Sequence, residues 1–390
     1  MSWRERLGRN WGRLGMRSEW ITSTIDDICK LVTDGAHNSP KSVDNGYYMA
    51  SVKDFTAYGF DFSNCRKISE ADYLKLKKQG CVPESGDILV GKDGARYFED
   101  VIIYRQKEQP ALLSSIAILR VDDTKVTSEF LYYTLKSPAV KKDVRDNYGS
   151  GSAIPRIVLK DFKRMPISFP SLKEQKKITN ICELLDEKIQ LNNRINNNLE
   201  QQAQAIYQQM FIENQNPNWK EGKLSDLVAV KYGKDHKKLD GGCYPVYGSG
   251  GIMRYVEKPL YTGESVLIPR KGTLNNVMYV NGAFWSVDTM FYTEMLRPNI
   301  AKFVYHFVKG KDLASLNAGS AVPSMTTNIL NAMPLYVPDD ETLSIFEETV
   351  TPMYSQMQEN EKQSANLANI RDTLLPRLMS GELDVSDIDL

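Results

Sequence analysis

Gly151-Ser152-Ala153-Ile154-Pro155 decides the reading of this chain, because Gly319-Ser320-Ala321-Val322-Pro323 repeats it at an offset of 319 − 151 = 168 residues. Met165-Pro166 recurs at that offset as Met333-Pro334, and Pro170 as Pro338, without a gap. Further out, Trp20, Ile25, Ile28, Gly35 and His37 resemble Trp219, Leu224, Leu227, Gly233 and His236 at an offset of about 199, the first copy being longer. Gly46-Tyr47-Tyr48 echoes Gly242-Cys243-Tyr244. Lys92-Asp93-Gly94, after Asp87 to Val90, echoes Arg270-Lys271-Gly272, after Val266 to Ile268. A duplication of this period means two diverged globular units built on one plan.

Each unit leads into a long helix. From residue 171 to about 213 there is no Gly or Pro, and Ile178, Ile181, Leu185, Ile189, Ile195, Leu199, Ile206 and Met210 fall at heptad-like spacing. At about 1.5 Å per residue this is a rod of roughly 60 Å. The second copy runs from about 341 to 379, with Phe346, Val350, Met353, Met357, Leu367, Ile370, Leu374 and Leu378 on its stripe. Asn192 and Asn360 share the 168-residue offset and interrupt the two seams with a polar group that can fix register. One core-facing helix per unit would show similar stripes. A helix much longer than its own unit needs a partner, which favours two rods packed on each other, antiparallel if a pseudo-twofold relates the repeats. Pro352 should kink the first turns of the second rod or mark a later start, and Pro376 should kink its end.

The globular units read as mixed α and β. Strands are expected at Tyr47 to Val52, Asp87 to Val90, Val101 to Tyr104 and Ser115 to Val121. In the second copy they are expected at Tyr244 to Tyr247, Ser265 to Ile268, Asn276 to Val280 and Met290 to Tyr292. Helices at Glu129 to Lys136 and Ile300 to Val308 complete the units. The segmentation is 1–19, a basic extension; 20–170 and 217–338, the globular units; 171–216, a central helix; and 339–390, a distal helix with an acidic tail.

The 390 residues carry 49 Lys+Arg against 49 Asp+Glu, with 42% hydrophobic residues, which is ordinary globular composition. No apolar run is long enough for a membrane span and the arginine-rich N-terminus has no apolar signal core, so the expected compartment is the cytoplasm. Five scattered cysteines without a C-x-x-C pair read as reduced thiols. The zero net charge is an average. Residues 1–19 carry +3, 20–170 carry +2, 171–216 carry −1, 217–338 carry +5 and 339–390 carry −9. Basic residues interleave with loop glycines, His and Tyr, as in Lys231, Lys234, His236, Lys237 and Lys238, a pattern able to reach phosphates and base edges.

No catalytic constellation accompanies this charge. There is no P-loop, no G-x-G-x-x-G opening a helix and no H-E-x-x-H, and three histidines make no metal site. Asn216-Pro217-Asn218-Trp219 lacks the second proline of an adenine-methyltransferase signature and reads as a turn. Pro338-Asp339 is not followed by the E-x-K of a nuclease. The chain reads as a binder.

Taken together, Gly-Ser-Ala-[Ile/Val]-Pro, the Met-Pro-x-x-x-Pro entry to each helix, Lys173-Glu174-Gln175-Lys176-Lys177-Ile178 opening the first and Leu375-Pro376-Arg377-Leu378-Met379-Ser380-Gly381-Glu382-Leu383 closing the second resemble a known family. It is the DNA-specificity subunit of Type I restriction-modification systems, and the resemblance covers residues 16–390, leaving 1–15 as an upstream extension or a start-site choice. It implies an α+β chain: two similar α/β target-recognition domains, 20–170 and 217–338, separated by two long antiparallel coiled-coil helices in a pseudo-twofold internal repeat. Each domain would read half of a split site on double-stranded DNA. The resemblance further implies two modification (methyltransferase) subunits that bring S-adenosylmethionine and methylate adenine, and restriction subunits that use ATP and Mg. This chain would hold no cofactor, metal or catalytic residue. A stand-alone coiled-coil DNA-binding regulator and a scaffold that does not touch DNA are the competing classes.

Within that scheme the candidate DNA-contacting residues are His37, Lys53, Lys92, Arg96, Ser152, Arg156, Lys234, His236, Lys237, Ser249, Arg254, Arg270, Lys271 and Ser320. The candidate helix-packing residues are Ile178, Leu185, Asn192, Leu199, Ile206, Phe346, Met353, Asn360, Leu367 and Leu374.

Overall fold

The computed structural model describes residues 20–94, 96–149, 155–316, 324–383 and 385. They form two compact units: unit 1 is Met1–Gln190 with Gln363–Leu390, and unit 2 is Leu191–Lys362. The boundary passes through both long helices, so each unit takes part of each helix instead of leaving the helices as separate segments.

Unit 1 opens on β1 (Ile21–Thr24) and one helical turn, Ile25–Ile28, whose N-cap Thr24 accepts from the Asp27 N–H at 3.2 Å. There follow β2 (Cys29–Asp34), β3 (Tyr47–Ala50), β4 (Ile88–Gly91), β5 (Val101–Ile103), β6 (Ile116–Val121), helix α1 (Ser128–Lys136), β7 (Pro166–Phe169) and the long helix α2 (Leu172–Gln208). The main sheet has the antiparallel order β2-β6-β4-β5. Alternation along its strands sends Ile88, Val90, Ala117 and Leu119 into a core with Phe130 and Leu131 of α1. Leu89, Ile116 and Ile118 face the opposite core with Phe60 and Tyr104. With both faces covered, Ile-Leu-Val without polar alternation is what the sheet centre requires, and each fully buried aliphatic side chain contributes about 1.5–3 kcal/mol.

Unit 2 repeats the plan with longer strands. It contains β8 (Lys220–Lys223), β9 (Val228–Tyr232), β10 (Tyr244–Gly248), β11 (Gly251–Val256), β12 (Tyr261–Pro269), β13 (Met278–Ser286), β14 (Met290–Met295), α3 (Ala301–Lys309), β15 (Pro334–Val337) and the long helix α4 (Asp340–Met379). The sheet order is β9-β14-β12-β13-β10-β11, antiparallel except for β10 beside β13. The same exception occurs in unit 1, where β3 runs parallel to Ala111–Leu112. Ser-Glu-Phe-Leu-Tyr-Tyr-Thr-Leu-Lys of α1 corresponds position by position to Ala-Lys-Phe-Val-Tyr-His-Phe-Val-Lys of α3. Each unit is closed by its entering and leaving strands, β1 with β7 (Ile21 opposite Phe169) and β8 with β15 (Lys220 opposite Val337).

Every strand expected from the sequence is present, but several bounds move. Tyr47 to Val52 ends at Ala50, because Val52–Asp54 turns into a short 3-10 helix whose Asp54 accepts from the Ser51 N–H. Asn276 to Val280 becomes Met278–Ser286, a nine-residue strand that Gly282 and Asn281 had obscured. Of the two readings of Pro352, a kink or a later start, the later start is overturned, since α4 runs from Asp340, where Asp339 caps it by accepting from the Thr342 N–H at 2.7 Å. Pro338-Asp339 is therefore a helix cap. Asn216-Pro217-Asn218 is turn chemistry as read, with Asn218 N–H donating to Asn216 Oδ1 at 3.0 Å.

The long helices pack on each other within each unit, and α2 continues beyond Gln208 as a π-helical turn, Gln209–Glu213. Their buried line differs from the expected stripe. On α2 it runs through Gln175, Ile178, Cys182, Asp186, Ile189, Asn192, Ala203, Tyr207 and Phe211, whereas Leu185, Leu199 and Ile206 are only half-buried and Ile195 is exposed. On α4 it runs through Leu343, Phe346, Val350, Tyr354, Asn360, Leu375 and Leu378, with Met353, Leu367 and Leu374 half-buried and Ile370 exposed. Adding 168 to Gln175, Ile178, Cys182, Asp186, Asn192 and Tyr207 gives Leu343, Phe346, Val350, Tyr354, Asn360 and Leu375, so the repeat extends to the seam itself. The shift arises because polar residues occupy it: an apolar search passes over Gln175 and Asp186, while Asn192 and Asn360, read onto the seam, are buried there. In unit 2 Asn360 Nδ2 donates to Asn196 Oδ1 at 2.8 Å, and Asn196 Nδ2 donates to the Met357 carbonyl at 3.1 Å.

Candidate nucleic-acid interface

The repeated Gly-Ser-Ala-[Ile/Val]-Pro motifs lie outside the described residues, and Ser152 and Ser320 with them. The residues that follow them are described, and they show what the motif accompanies. In unit 1 Asp93 forms a β-bridge with Arg156, and Ile157 N–H donates to the Lys92 carbonyl at 3.0 Å. In unit 2 Lys271 forms the same bridge with Ser324, and Met325 N–H donates to the Arg270 carbonyl at 2.9 Å. Arg156 and Ser324 are again 168 apart. The basic turn after the central strand is thus tied, in both units, to the chain leaving the motif. Gly94 and Gly272 sit in that turn at φ +97° and +85°, where any Cβ would be strained, so a glycine after the basic residue is a backbone requirement.

What holds the basic side chain differs. Lys92 and Arg270 occupy one structural position, because their N–H groups donate to the Ser115 and Thr289 carbonyls at 2.8 and 2.9 Å. Asp34 and Tyr232 occupy another, preceding Gly35 and Gly233, whose N–H groups donate to the Ile116 and Met290 carbonyls. In unit 1 Lys92 Nζ lies 3.1 Å from Asp34 Oδ2 with both side chains buried, and His37 Nε2 lies 3.2 Å from Asp34 Oδ1. In unit 2 the Arg270 guanidinium lies over the Tyr232 ring, 5.4 Å from its centroid, with Nη1 donating to the Asp288 carbonyl at 3.3 Å. In the chain alone, therefore, a buried carboxylate compensates the charge of Lys92.

Unit 2 gathers its candidates onto neighbouring loops. Lys234 N–H donates to the Ser286 carbonyl at 2.8 Å, and Trp285 Nε1 donates to the Lys234 carbonyl at 2.8 Å, fastening the Lys234-to-Lys238 loop to the end of β13. The adjacent Val287 N–H donates to the Tyr247 carbonyl, which leads into the Gly248-Ser249-Gly250 turn. Asn276 Nδ2 donates to the Ser249 carbonyl at 2.7 Å, and a Cβ on Gly272 would lie 2.9 Å from Ser249 Oγ. Lys234, Lys237 and Lys271 are exposed, while Ser249 and His236 are half-buried. The Lys237 N–H donates to Asp235 Oδ1 at 3.0 Å and holds that carboxyl below its ordinary range.

The other candidates are placed as follows. Lys53 is exposed on the 3-10 turn and Arg156 is exposed at its bridge. Arg96 is exposed but paired with Asp100 at 2.7 Å. Arg254 on β11 turns back to donate to the Leu239 carbonyl at 2.7 Å, so it braces the Lys234-to-Lys238 loop. Asp34, Tyr232, Asn276 and Trp285 were not singled out in the sequence. Asp34 and Tyr232 could have been found from their position before the aligned glycines Gly35 and Gly233, which pack so close to the next loop that an added Cβ would meet Leu112 O at 2.3 Å and Val287 O at 2.0 Å.

Among the described residues no group of three or more His, Cys, Asp or Glu is arranged to hold a metal, and no helix is long and apolar enough to cross a membrane. The model of the Type I restriction modification DNA specificity domain matches residues 17–201 and again 216–366, one match per repeat. The chain is 22% identical over 308 residues to the Type I restriction enzyme MjaIX specificity subunit of Methanocaldococcus jannaschii, covering 67% of this chain and 71% of that one. It is 23% identical over 289 residues to a putative Type I specificity subunit of Mycoplasma pneumoniae, covering 68% and 76%. The crystal structure of a Type I restriction-modification S subunit from M. genitalium shares the fold at a TM-score of 0.52 and 19% identity, covering 94% of this chain and 97% of that one. Two matched repeats, each built around a basic turn and joined to a long helix, make this chain a member of the Type I restriction-modification DNA specificity family, a non-catalytic DNA-recognition component that works with other subunits.

Proposed function

We propose that each unit reads one half of a bipartite duplex site through the turn at 92–94 or 270–272 and the loops around it, while α2 and α4 set the gap between the halves. The observation that carries this reading is the duplicated tie between the basic turn and the chain leaving the motif, Asp93 with Arg156 and Lys271 with Ser324. Two copies of one loop assembly on continuous helices suit two half-sites about one DNA turn apart. The helices and units also dock two modification subunits, which bring S-adenosylmethionine and methylate adenine. Restriction subunits add ATP- and Mg-dependent cleavage. Assignment of all three cofactors to partners is supported by a sequence without phosphate-binding or metal-binding motifs.

The reading is tested by sequencing genomic methylation in cells that express the modification subunit with and without this chain. A split adenine-methylated motif that depends on the chain is expected. Undiminished methylation without the chain, or tight specific binding by the chain with no modification subunit, would favour the regulator reading instead.

A further inference from the structure

The two units differ in the electrostatics of equivalent loops. In unit 1, positions 34–46 and 92–94 hold Lys41 and Lys92 against Asp34, Asp44 and Asp93; in unit 2, positions 232–242 and 270–272 hold Lys234, Lys237, Lys238, Arg270 and Lys271 against Asp235 and Asp240. Pairing widens the difference. Lys92 is buried against Asp34, whereas Lys234, Lys237, Lys238 and Lys271 are exposed and form no ion pair among the described residues. Arg270 lies against a neutral ring, which leaves its charge uncompensated. At the position where unit 1 buries an anion, unit 2 places an aromatic.

We infer that the loops of unit 2 supply most of the phosphate-dependent affinity of the chain for DNA, and that the equivalent loops of unit 1 add little to it and act through shape and hydrogen bonds. This rests on the proposal that both loop sets face DNA. Cations released from phosphates set the salt dependence of binding, and each phosphate neutralised adds about 0.9 to the slope of log K against log salt. An internally neutralised Lys92 releases no counterion, whereas exposed unpaired lysines do.

The test is the affinity of the full-length chain, with its co-purifying subunits, for a labelled random-sequence duplex of 30 base pairs, measured between about 50 and 200 mM salt. Lys234→Gln/Lys237→Gln/Lys271→Gln is expected to lower the slope by roughly 2 to 3. Lys92→Gln/Asp34→Asn, which removes the buried pair together and leaves no orphaned charge, is expected to leave it unchanged. Replacing the three lysines by arginine should preserve the wild-type slope, which separates charge from packing. A slope unmoved by the unit 2 triple variant, or moved as much by the unit 1 double variant, overturns the asymmetry. Absence of DNA binding by the wild-type complex at any salt overturns the DNA-facing reading beneath it.

Discussion

Tyr133 of α1 donates its hydroxyl to Asp186 of α2 at 2.8 Å, inside the core where Arg371 of α4 pairs with the same carboxylate. One buried carboxylate thus fastens the sheet-covering helix of unit 1 to both long helices. The equivalent place in unit 2 is held without a charge: His306, which aligns with Tyr133, sits 2.8 Å from Gln204 Oε1 and 2.9 Å from Tyr354 Oη. Removing Asp186 leaves Arg371 paired only with the more exposed Asp372, at 2.7 Å, and the Tyr133 hydroxyl without its acceptor. Asp186→Ala should cost about 1–3 kcal/mol in urea unfolding, and Asp186→Ala/Arg371→Met should recover part of that loss. Equal losses in the two variants would show that the ion pair does not organise this core.

Burial pushes the His306 imidazole down to about 4, so it is neutral in the folded unit. An unfolded histidine titrates near 6.5, so between about 6.5 and 4 the unfolded chain binds the proton that the folded chain refuses. Stability is full above about 6.5 and is lost as pH falls, by about 3 kcal/mol once pH nears 4. His306→Gln should flatten this part of the pH profile of thermal unfolding; an unchanged slope would place the acid sensitivity elsewhere.

Gly272 is the residue whose backbone the basic turn demands. Gly272→Ala puts a Cβ at φ +85° and 2.9 Å from Ser249 Oγ, a strain of about 1–2 kcal/mol. The expected result is a folded chain whose DNA affinity drops several-fold and whose second half-site is read less strictly. Gly233→Ala, which would meet Val287 O at 2.0 Å, should instead prevent unit 2 from folding, seen as protease sensitivity of residues 217–338.

Removal of one heptad from each long helix, within 185–199 and 353–367, shortens each by about 10 Å, close to three base pairs of duplex. The methylated motif should keep both half-sites with a gap shorter by about three. An unchanged gap would show that the helices do not set it.

The repeat made much of this fold legible, because register copies over 168 residues survive divergence: Gly151/Gly319, Asn192/Asn360 and Arg156/Ser324 all lie on it. The sheet-centre strands were legible from their apolar runs. The helix seam was legible in part: Ile178, Asn192, Phe346 and Asn360 are buried as read, whereas Gln175, Asp186 and Ala203 sit on it where apolar periodicity points to Leu185 and Ile206. The edge strands β2, β9 and β11 and the closing pairs β1 with β7 and β8 with β15 were missed, since Lys, Gly, Pro and exposed Met253 dilute their alternation. Site residues were legible as basic loops and no further. That Lys92 is neutralised while Arg270 rests on an aromatic depends on Asp34 and Tyr232, which lie far from them in sequence and become neighbours only across the sheet.

The central claim is that the two units read separate half-sites. Its most direct measurement is methylome sequencing after residues 217–338 are exchanged for the equivalent unit of another specificity subunit, leaving both long helices in place. One half of the methylated motif should change to the donor's sequence, with the other half and the gap retained. A change in both halves, or in neither, would contradict modular readout.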